Sequence, residues 1–344
     1  MRNELTIKIA GEAGQGMQTI GVALAKLYKK AGLNIFSHQD VMSRIRGGNN
    51  FTQLRISNKP LYTLRVPSDI VVALNKESVF LHPESMASGG LLILDRQKYN
   101  ISDTHKTFLD VPLHDLAKKI GGSELFINSV AFGLLAAITG IDFGHVEAVL
   151  KDIFSDKTQD LINKNIETAK AGYDFSKNNF KQNAFAIKIG KDRNQLLMSG
   201  NEAIALGAIR AGCKFYSAYP MSPSTSIMNV VAHFAKNFNI VVEQAEDEIA
   251  AINMIIGASF AGVRSMCATS GGGFALMVEG LSLAGMTETP IVVVDAQRPA
   301  PATGFPTRTE QADLDYLIHA GHGEFARAVF APGTIEQAFY LTVR

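Results

Sequence analysis

Apolar positions recur with two different periods along the first half of the chain. Five short runs have the period of a β-strand: residues 5–10, 34–37, 51–56, 70–74 and 91–94. Five longer segments have the period of a helix: residues 16–31, 113–120, 129–138, 144–154 and 160–173. Strands separated by helices predict parallel pairing through crossover helices, so this half is predicted to form one α/β domain.

The segment 174–184 interrupts this pattern. Its sequence, DFSKNNFKQNA, is polar and has no apolar period, which is typical of a linker between two packed units. From Phe185 onward a second alternation begins. Its predicted strands are 214–218, 240–244, 264–269 and 290–296, and its predicted helices are 201–211, 224–238, 247–261 and 274–284. The fold class is therefore predicted to be α/β with two doubly wound domains, at residues 1–178 and 186–344.

Composition and charge narrow the classes of function. The 344 residues are 47% hydrophobic and 19% charged, which suits two packed domains rather than a disordered chain. A formal net charge of +1 gives no field for nucleic acid or an anionic membrane surface, so a small ligand or a protein partner is expected. The N-terminus lacks the pattern of a secretory signal, and the longest apolar stretches are shorter than a bilayer is thick. The sequence therefore predicts a cytoplasmic protein that is not bound to a membrane.

Cys213 and Cys267 are the only cysteines, and they do not form a C-x-x-C pair. Zinc and iron–sulfur sites need several clustered thiolate or imidazole ligands, so this chain is predicted to hold no metal by itself. The last residues, APGTIEQAFYLTVR, predict an amphipathic helix with Thr334 as its N-cap. A helix that stops within its pattern fits a truncated reading frame and a complete protein about equally well.

Two loops of the first half are candidate binding sites. The sequence GEAGQG, from Gly11 to Gly16, joins a strand to a helix, where backbone N–H groups could hold a phosphate. Its spacing is not G-x-G-x-x-G, so glycines that permit a tight turn are the favoured interpretation. The sequence SRIRGGNN, from Ser43 to Asn50, could present two guanidinium groups to an anion, or could be a solvated connection.

In the second half, candidate residues follow successive predicted strands. In YPMSPST, Ser222 lies between two prolines and could aim its hydroxyl at a ligand, while Ser224 or Thr225 could cap the next helix. In EQAEDE, Glu246 and Asp247 suit a helix N-terminus, where acids are favoured. Glu248 is followed by Ile249 and Ala250, so we expect it to point inward, where its carboxylate needs a partner.

Two further loops complete the set. The sequence ATSGGG, with Thr269, Ser270 and Gly271, has three consecutive residues without side chains. Their absence would let a flat group approach the backbone, or would let a helix pack closely on a strand. The loop 297–311 is long and polar, and its Arg308 could bind a carboxylate with two hydrogen bonds. Because carboxyl ends of parallel strands meet at one edge of a sheet, these loops are predicted to converge.

Taken together, these motifs resemble the 2-oxoacid:ferredoxin oxidoreductase family. Residues 5–56, with GEAGQG and SRIRGGNN, resemble its γ subunit, and SGNEAIALGAIRAG, YPMSPST, QAEDEIAAI, ATSGGG and TGFPTRTEQADL resemble the pyrimidine-binding domain of its α subunit. The resemblance implies a fused γ-α subunit of an enzyme that oxidatively decarboxylates a 2-oxoacid. Coenzyme A receives the acyl group and ferredoxin the electrons, and thiamine diphosphate is the cofactor.

The resemblance also assigns roles to residues. Glu248 corresponds to the glutamate that contacts N1′ of the thiamine aminopyrimidine, Ser222 lies near the substrate, and Arg308 is a substrate clamp. Tyr219 and Pro220, together with Thr269, Ser270 and Gly271, border the pyrimidine ring. Arg308 favours 2-oxoglutarate over pyruvate, because a second carboxylate would use its charge. Met221 and Ser222 stand where isoleucine and threonine are commoner in the family, which leaves substrate preference open.

Elements absent from the sequence imply a partner. There is no GDG…N motif for diphosphate and Mg²⁺ and there are no cluster cysteines, and in the family both lie on a separate β subunit with a [4Fe–4S] cluster. The resemblance therefore implies a hetero-oligomer, an α-type domain that is incomplete at its C-terminus, and no activity for this chain alone.

Two other functions stay open at this point. A dehydrogenase could use GEAGQG for NAD, with Asp40 on the ribose, although the glycine spacing disfavours it. A non-catalytic assembly subunit would use the sheet edge only to dock a partner. Titration with NADH tests the first alternative, and substitution of Glu248 tests the second.

Overall fold

The computed structural model describes residues 1–44, 47–102, 107–180, 183–191 and 194–344. These residues form two compact units, Met1–Leu197 and Met198–Arg344. Parts of two predicted segments, Ile45 and Arg46 of SRIRGGNN and residues 181–182 of the linker, lie outside the described residues.

The first unit contains one mixed β-sheet. Its six strands are β1 (Glu4–Ala13), β2 (Asn34–Asp40), β3 (Gly47–Ser57), β4 (Ser68–Ala73), β5 (Met86–Leu94) and β6 (Phe108–Asp110). They lie in the order β2-β3-β1-β4-β5-β6. Strands β4, β5 and β6 continue parallel to β1, but β3 pairs antiparallel with both β1 and β2. Parallel pairing is therefore wrong for β2 and β3, because a parallel return needs about a dozen residues and a crossover, and only six residues separate these strands.

Helices cover the two faces of this sheet unequally. The helices are α1 (Met17–Lys30), α2 (Lys76–Leu81), α3 (Arg96–Tyr99), α4 (Leu113–Leu116), α5 (Ile127–Ile138), α6 (Phe143–Ile153) and α7 (Gln159–Asn179). A π-helical turn, Ala117–Gly121, continues α4, and short 3₁₀ turns lie at Pro83–Ser85, Glu124–Phe126 and Asn183–Phe185. Residues of α1, α5, α6 and α7 form the main core with one face of the strands, and α2 and α3 cover part of the other.

The predicted linker is shorter than the sequence indicates, and the division between the units lies later. Helix α7 includes Asp174–Asn179, because Ser176 is buried while the Lys and Asn side chains around it face solvent. Phe185 and Ile187 belong to the core of the first unit. The units divide after Leu197, and the polar residues 177–179 form the exposed face of the last turn of α7.

The second unit is a doubly wound sheet, as predicted. Its strands are β7 (Phe215–Ala218), β8 (Val241–Gln244), β9 (Ser265–Thr269) and β10 (Val292–Asp295). They are all parallel and lie in the order β10-β9-β7-β8. Its helices are α8 (Gly200–Arg210), α9 (Thr225–Phe238), α10 (Glu248–Phe260), α11 (Gly271–Met286), α12 (Leu314–His319) and α13 (Ile335–Val343).

Alternation along β9 shows why both faces are covered. Met266 and Ala268 face a core with residues of α8 and α9, whereas Cys267 faces a core with residues of α10 and α11. Side chains alternate across a strand, so an apolar strand needs a layer on each side. The chain winds to one side from β7 to β8 and to the other from β8 to β9, which makes the β7–β9 boundary a topological switch point.

Helix α13 begins at its predicted cap. The Thr334 hydroxyl accepts a hydrogen bond from the backbone N–H of Gln337 at 3.0 Å. Among the described residues no single helix is long and apolar enough to cross a membrane, although the bent pair Leu113–Gly121 and Glu124–Ile138 passes that test by length and composition.

Candidate active site

The loops predicted to converge do so at the carboxyl edge of the second sheet. The backbone N–H of Ala245, after β8, donates to the carbonyl of Ala218 on β7, and the N–H of Ala296, after β10, donates to Thr269 on β9. The Thr269 hydroxyl lies 3.8 Å from the sulfur of Met221 in the YPMSPST loop. The edge of this unit therefore gathers the segments that follow all four strands, at the switch point where parallel α/β sheets bind ligands.

Glu248 is buried at this edge, in the inward orientation expected from its sequence. Asp247 caps α10 by accepting from the backbone N–H of Ala250 at 2.7 Å, so Glu248 is the first helical residue. Its side chain is 4% exposed, and Oε1 has no hydrogen-bond partner in the described part of the chain. A buried carboxylate without a donor is costly, which is a physical reason to expect a ligand there.

The glycines of ATSGGG make room for two acidic side chains. A Cβ on Gly273 would collide with the Thr269 hydroxyl and lie 2.9 Å from Glu248 Oε1. A Cβ on Gly271 would lie 2.6 Å from Asp313 Oδ2. Ser270 is fully buried and does not cap α11 with its side chain, and its hydroxyl has no partner among the described residues. The glycine run thus lets carboxylates, rather than methyl groups, approach the start of α11.

The YPMSPST loop is held by its own backbone and by a neighbouring arginine. The Ser224 hydroxyl donates to the carbonyl of Met221 at 2.7 Å and makes no N-cap bond to α9, so capping by Ser224 is wrong. Arg298 Nη1 donates to the carbonyl of Ser222 at 2.8 Å. Tyr219 is 40% exposed and Ser222 is also exposed, whereas Glu248 is buried.

The long loop carrying Arg308 closes on itself at its base. The Asp313 N–H donates to the side chain of Gln297 at 2.9 Å, which brings the two ends of residues 297–313 together. Gly304 has a φ of 57°, and a Cβ there would collide with the carbonyl of Pro299, so only glycine fits this turn. Arg308 is half-buried in this loop.

Asp295 and Asp313 also lie at this edge, and no motif in the sequence singles them out. Asp295 ends β10 beside Thr269, and both of its carboxylate oxygens are buried without a partner in the described chain, as is Asp313 Oδ2. Burial, and then the charge of Asp313, raise the pKa of Asp295 to about 7. An acid at the carboxyl end of an apolar strand, in PIVVVD, is the signal that could have found Asp295.

The edge offers several buried hydrogen-bonding oxygens to a ligand. Five buried oxygens lack a partner there, within the described residues: Glu248 Oε1, Ser270 Oγ, Asp295 Oδ1 and Oδ2, and Asp313 Oδ2. The carboxylate oxygens need donors and the Ser270 hydroxyl can donate or accept, so a heterocycle with N–H groups is chemically suited to the edge. The structure thus gathers the loops of every predicted site residue of this unit, while the roles assigned to those residues stay predictions.

The candidate loops of the first unit differ from this edge. In GEAGQG, the Gln15 side chain accepts from the N–H of Glu12 at 2.7 Å and donates to the carbonyl of Leu74 at 3.1 Å. Gly14 and Gly16 have positive φ, as a tight turn requires. These bonds favour the turn interpretation. Of SRIRGGNN, the described glycines Gly47 and Gly48 also have positive φ.

Comparison with known proteins adds family matches to both units. A family model described as pyruvate flavodoxin/ferredoxin oxidoreductase, thiamine diphosphate-binding, matches residues 206–344. A second, pyruvate ferredoxin/flavodoxin oxidoreductase, matches residues 6–175. The α subunit of a 2-oxoacid:ferredoxin oxidoreductase from a Sulfolobus species is 34% identical over 389 residues, which covers 96% of this chain and 60% of that relative.

Two further relatives are named for 2-oxoglutarate. The 2-oxoglutarate synthase subunit KorA of Archaeoglobus fulgidus is 45% identical over 147 residues, covering 43% of this chain and 42% of that protein. A solved 2-oxoglutarate:ferredoxin oxidoreductase from Magnetococcus marinus, with 2-oxoglutarate, coenzyme A and succinyl-CoA bound, is 34% identical with a TM-score of 0.93. It is matched over 100% of this chain and 61% of its own, so the chain spans about three fifths of that relative's length.

Proposed function

The chain belongs to the 2-oxoacid:ferredoxin oxidoreductase family, and from this membership we propose that it supplies the aminopyrimidine side of a thiamine diphosphate site. The complete enzyme would oxidatively decarboxylate a 2-oxoacid, with 2-oxoglutarate favoured, transfer the acyl group to coenzyme A and pass electrons to ferredoxin. The observation that carries the proposal is the buried Glu248 carboxylate, whose Oε1 has no donor among the described residues.

The residues at the sheet edge fit this cofactor. Glu248 would bind N1′ of the aminopyrimidine, and Thr269, Ser270 and Gly271 would border the ring together with Tyr219 and Pro220. Bound thiamine diphosphate supplies the nucleophilic carbon and the electron sink for decarboxylation. Glu248 would hold a proton at N1′, and its burial at 4% exposure keeps water from competing for that proton.

On the substrate side, we assign Ser222 and Arg308. Ser222 would donate its hydroxyl to the substrate, and the Arg298 hydrogen bond to its carbonyl would fix its position. Arg308 would bind the second carboxylate of 2-oxoglutarate. The names of the Archaeoglobus and Magnetococcus relatives support this choice over pyruvate.

Partners follow from what this chain cannot supply. Burial raises the pKa of Cys267 to about 12 and also raises that of Cys213, so both stay thiols and neither is suited to bind a cluster. We therefore assign Mg²⁺ and the [4Fe–4S] cluster to a β subunit in a hetero-oligomer, with ferredoxin as its electron acceptor. The α-subunit name of the Sulfolobus relative supports such an assembly. We propose the first unit, Met1–Leu197, as its γ-type domain.

The decisive experiment is Glu248→Gln in the chain reconstituted with its β subunit. Loss of the carboxylate should slow the turnover of dye reduction driven by the oxoacid by about 10²-fold or more, since a positioned acid–base group contributes that much. Glu246→Gln is the matched control, because Glu246 is exposed in the same loop and should keep normal activity. Full activity of Glu248→Gln would instead favour the non-catalytic assembly subunit.

Substrate choice has a separate test. Arg308→Ala should lower the specificity constant for 2-oxoglutarate by about tenfold or more and leave that for pyruvate little changed, because a charged hydrogen bond contributes about 1.5–3 kcal/mol. The ratio of the two specificity constants measures the effect. An unchanged ratio would remove Arg308 from the substrate site.

A further inference from the structure

The pair Asp295–Asp313 is a second set of buried carboxylates at the sheet edge. Three of its four oxygens are buried without a hydrogen-bond partner in the described chain, and Asp313 is 8% exposed. Asp313 Oδ2 lies against Gly271, and Asp295 pairs with Thr269 only two residues before that glycine, so both carboxylates lie at the start of α11. An ionised carboxylate can only accept hydrogen bonds, so two neighbouring carboxylates without other donors need a shared proton. With one shared proton the two carboxyl groups can form a hydrogen bond, and without it the two negative charges repel each other.

Asp313 also connects two parts of the edge. Its backbone closes the base of the 297–313 loop through Gln297, and its carboxylate packs against Gly271 at the start of α11. Two residues further along α11, Gly273 packs against Glu248. Any movement of Asp313 would thus move the loop that carries Arg308 relative to the Glu248 pocket.

Other titratable groups lie near this pair. Asp295 lies beside Thr269 on β9, and Tyr316 on α12 is close enough for the charge of Asp313 to raise its pKa, after the larger effect of burial. Glu248 approaches from α10 along the glycine run. The cations of the 297–313 loop are Arg298, which donates to the carbonyl of Ser222, and Arg308. No cation is among the causes that raise the pKa of Asp295, so a shared proton is what offsets its negative charge.

We propose that Asp295 and Asp313 form a positioning pair, in which one shared proton seats the 297–313 loop on the start of α11 and so fixes the substrate-binding Arg308. The inference rests on the proposed function for its consequence in catalysis. When the proton leaves to solvent, two anionic carboxylates face each other without a donor. Asp313 then withdraws from Gly271, and the loop loosens.

The loop itself can be observed without catalysis. The chain contains no tryptophan, so Phe305→Trp, at a 66% exposed position of the loop, gives a single fluorescent reporter. Acrylamide quenching of this reporter should increase between pH 6 and pH 8, and Asp295→Asn or Asp313→Asn should abolish that change. Asp315→Asn is the matched control, since Asp315 is exposed on α12 and should leave the titration intact.

The reconstituted enzyme supplies the second readout. With a pKa of about 7 for Asp295, the protonated fraction falls about tenfold from pH 6 to pH 8, and KM for the oxoacid should rise by about the same factor relative to Asp295→Asn. The kcat should change much less. A reporter that titrates equally in Asp295→Asn, or a flat KM beside a titrating reporter, would overturn the positioning role. Because the reporter needs no substrate, failure of the proposed decarboxylation would leave its titration unchanged.

Discussion

Two strand-to-helix glycine loops, one in each unit, look alike in sequence and differ in what surrounds them. In GEAGQG the loop is closed by the side chain of Gln15, which bonds to Glu12 and to Leu74. In ATSGGG the glycines admit the carboxylates of Glu248 and Asp313, which keep buried oxygens without partners among the described residues. Glycine thus permits both loops, and in the first a buried oxygen without a described partner, Asn128 Oδ1, also lies against Gly16. What distinguishes ATSGGG is that the unpartnered oxygens against its glycines belong to two carboxylates.

The largest effect expected from this contrast is that of Gly273→Ala. The added Cβ would collide with Thr269 and displace Glu248, so activity of the reconstituted enzyme should fall by about 10²–10⁴-fold, as for loss of the acid–base group. Gly272→Ala is the matched control, because its Cβ would meet its nearest neighbour, the carbonyl of Ala302, only at 3.4 Å. Equal activity of the two variants would show that Glu248 does not depend on the glycine.

The buried Asp295 carboxylate should also lower the free energy of unfolding of the second unit at neutral pH. The pKa of Asp295 rises from 3.8 to about 7 on folding, so the native state binds the proton more tightly and stability falls as pH rises from about 4 to 7. At about 1.4 kcal/mol for each tenfold change in proton affinity, this rise sets an upper bound of about 4 kcal/mol, which partial exposure reduces. Asp295→Asn should remove this slope in the free energy of unfolding of the second unit.

Chemical denaturation at a series of pH values measures that slope. Asp315→Asn serves as the control, because an exposed acid has little effect on the pH dependence of unfolding. A slope that persists in Asp295→Asn would mean that another group titrates. The same measurement on the unfolding of the first unit should show no such slope from its glycine loop, because that loop contains no such pair of acids among the described residues.

The sequence predicted the second unit better than the first, for a physical reason. The predicted strands 214–218 and 264–269 coincide closely with β7 and β9, and parallel order alone brought their loops to one edge. In the first unit the strand direction of β3 was wrong, because apolar alternation records which face is buried and not which way a strand runs. Asp295 and Asp313 stand at the two ends of a long loop, which the bond from Asp313 to Gln297 closes, and the apolar pattern does not reveal that closure.

The smallest expected effect concerns GEAGQG. Gln15→Ala removes two hydrogen bonds of the turn and should lower the free energy of unfolding of the first unit by about 1–2 kcal/mol, with no change in kcat. Gln18→Ala, exposed in the first turn of α1, should change stability by at most about 0.5 kcal/mol. If Gln15→Ala instead raised KM for coenzyme A or another phosphate-bearing ligand without destabilising the unit, GEAGQG would be a binding loop. The two loops would then differ in their ligands rather than in whether they have one.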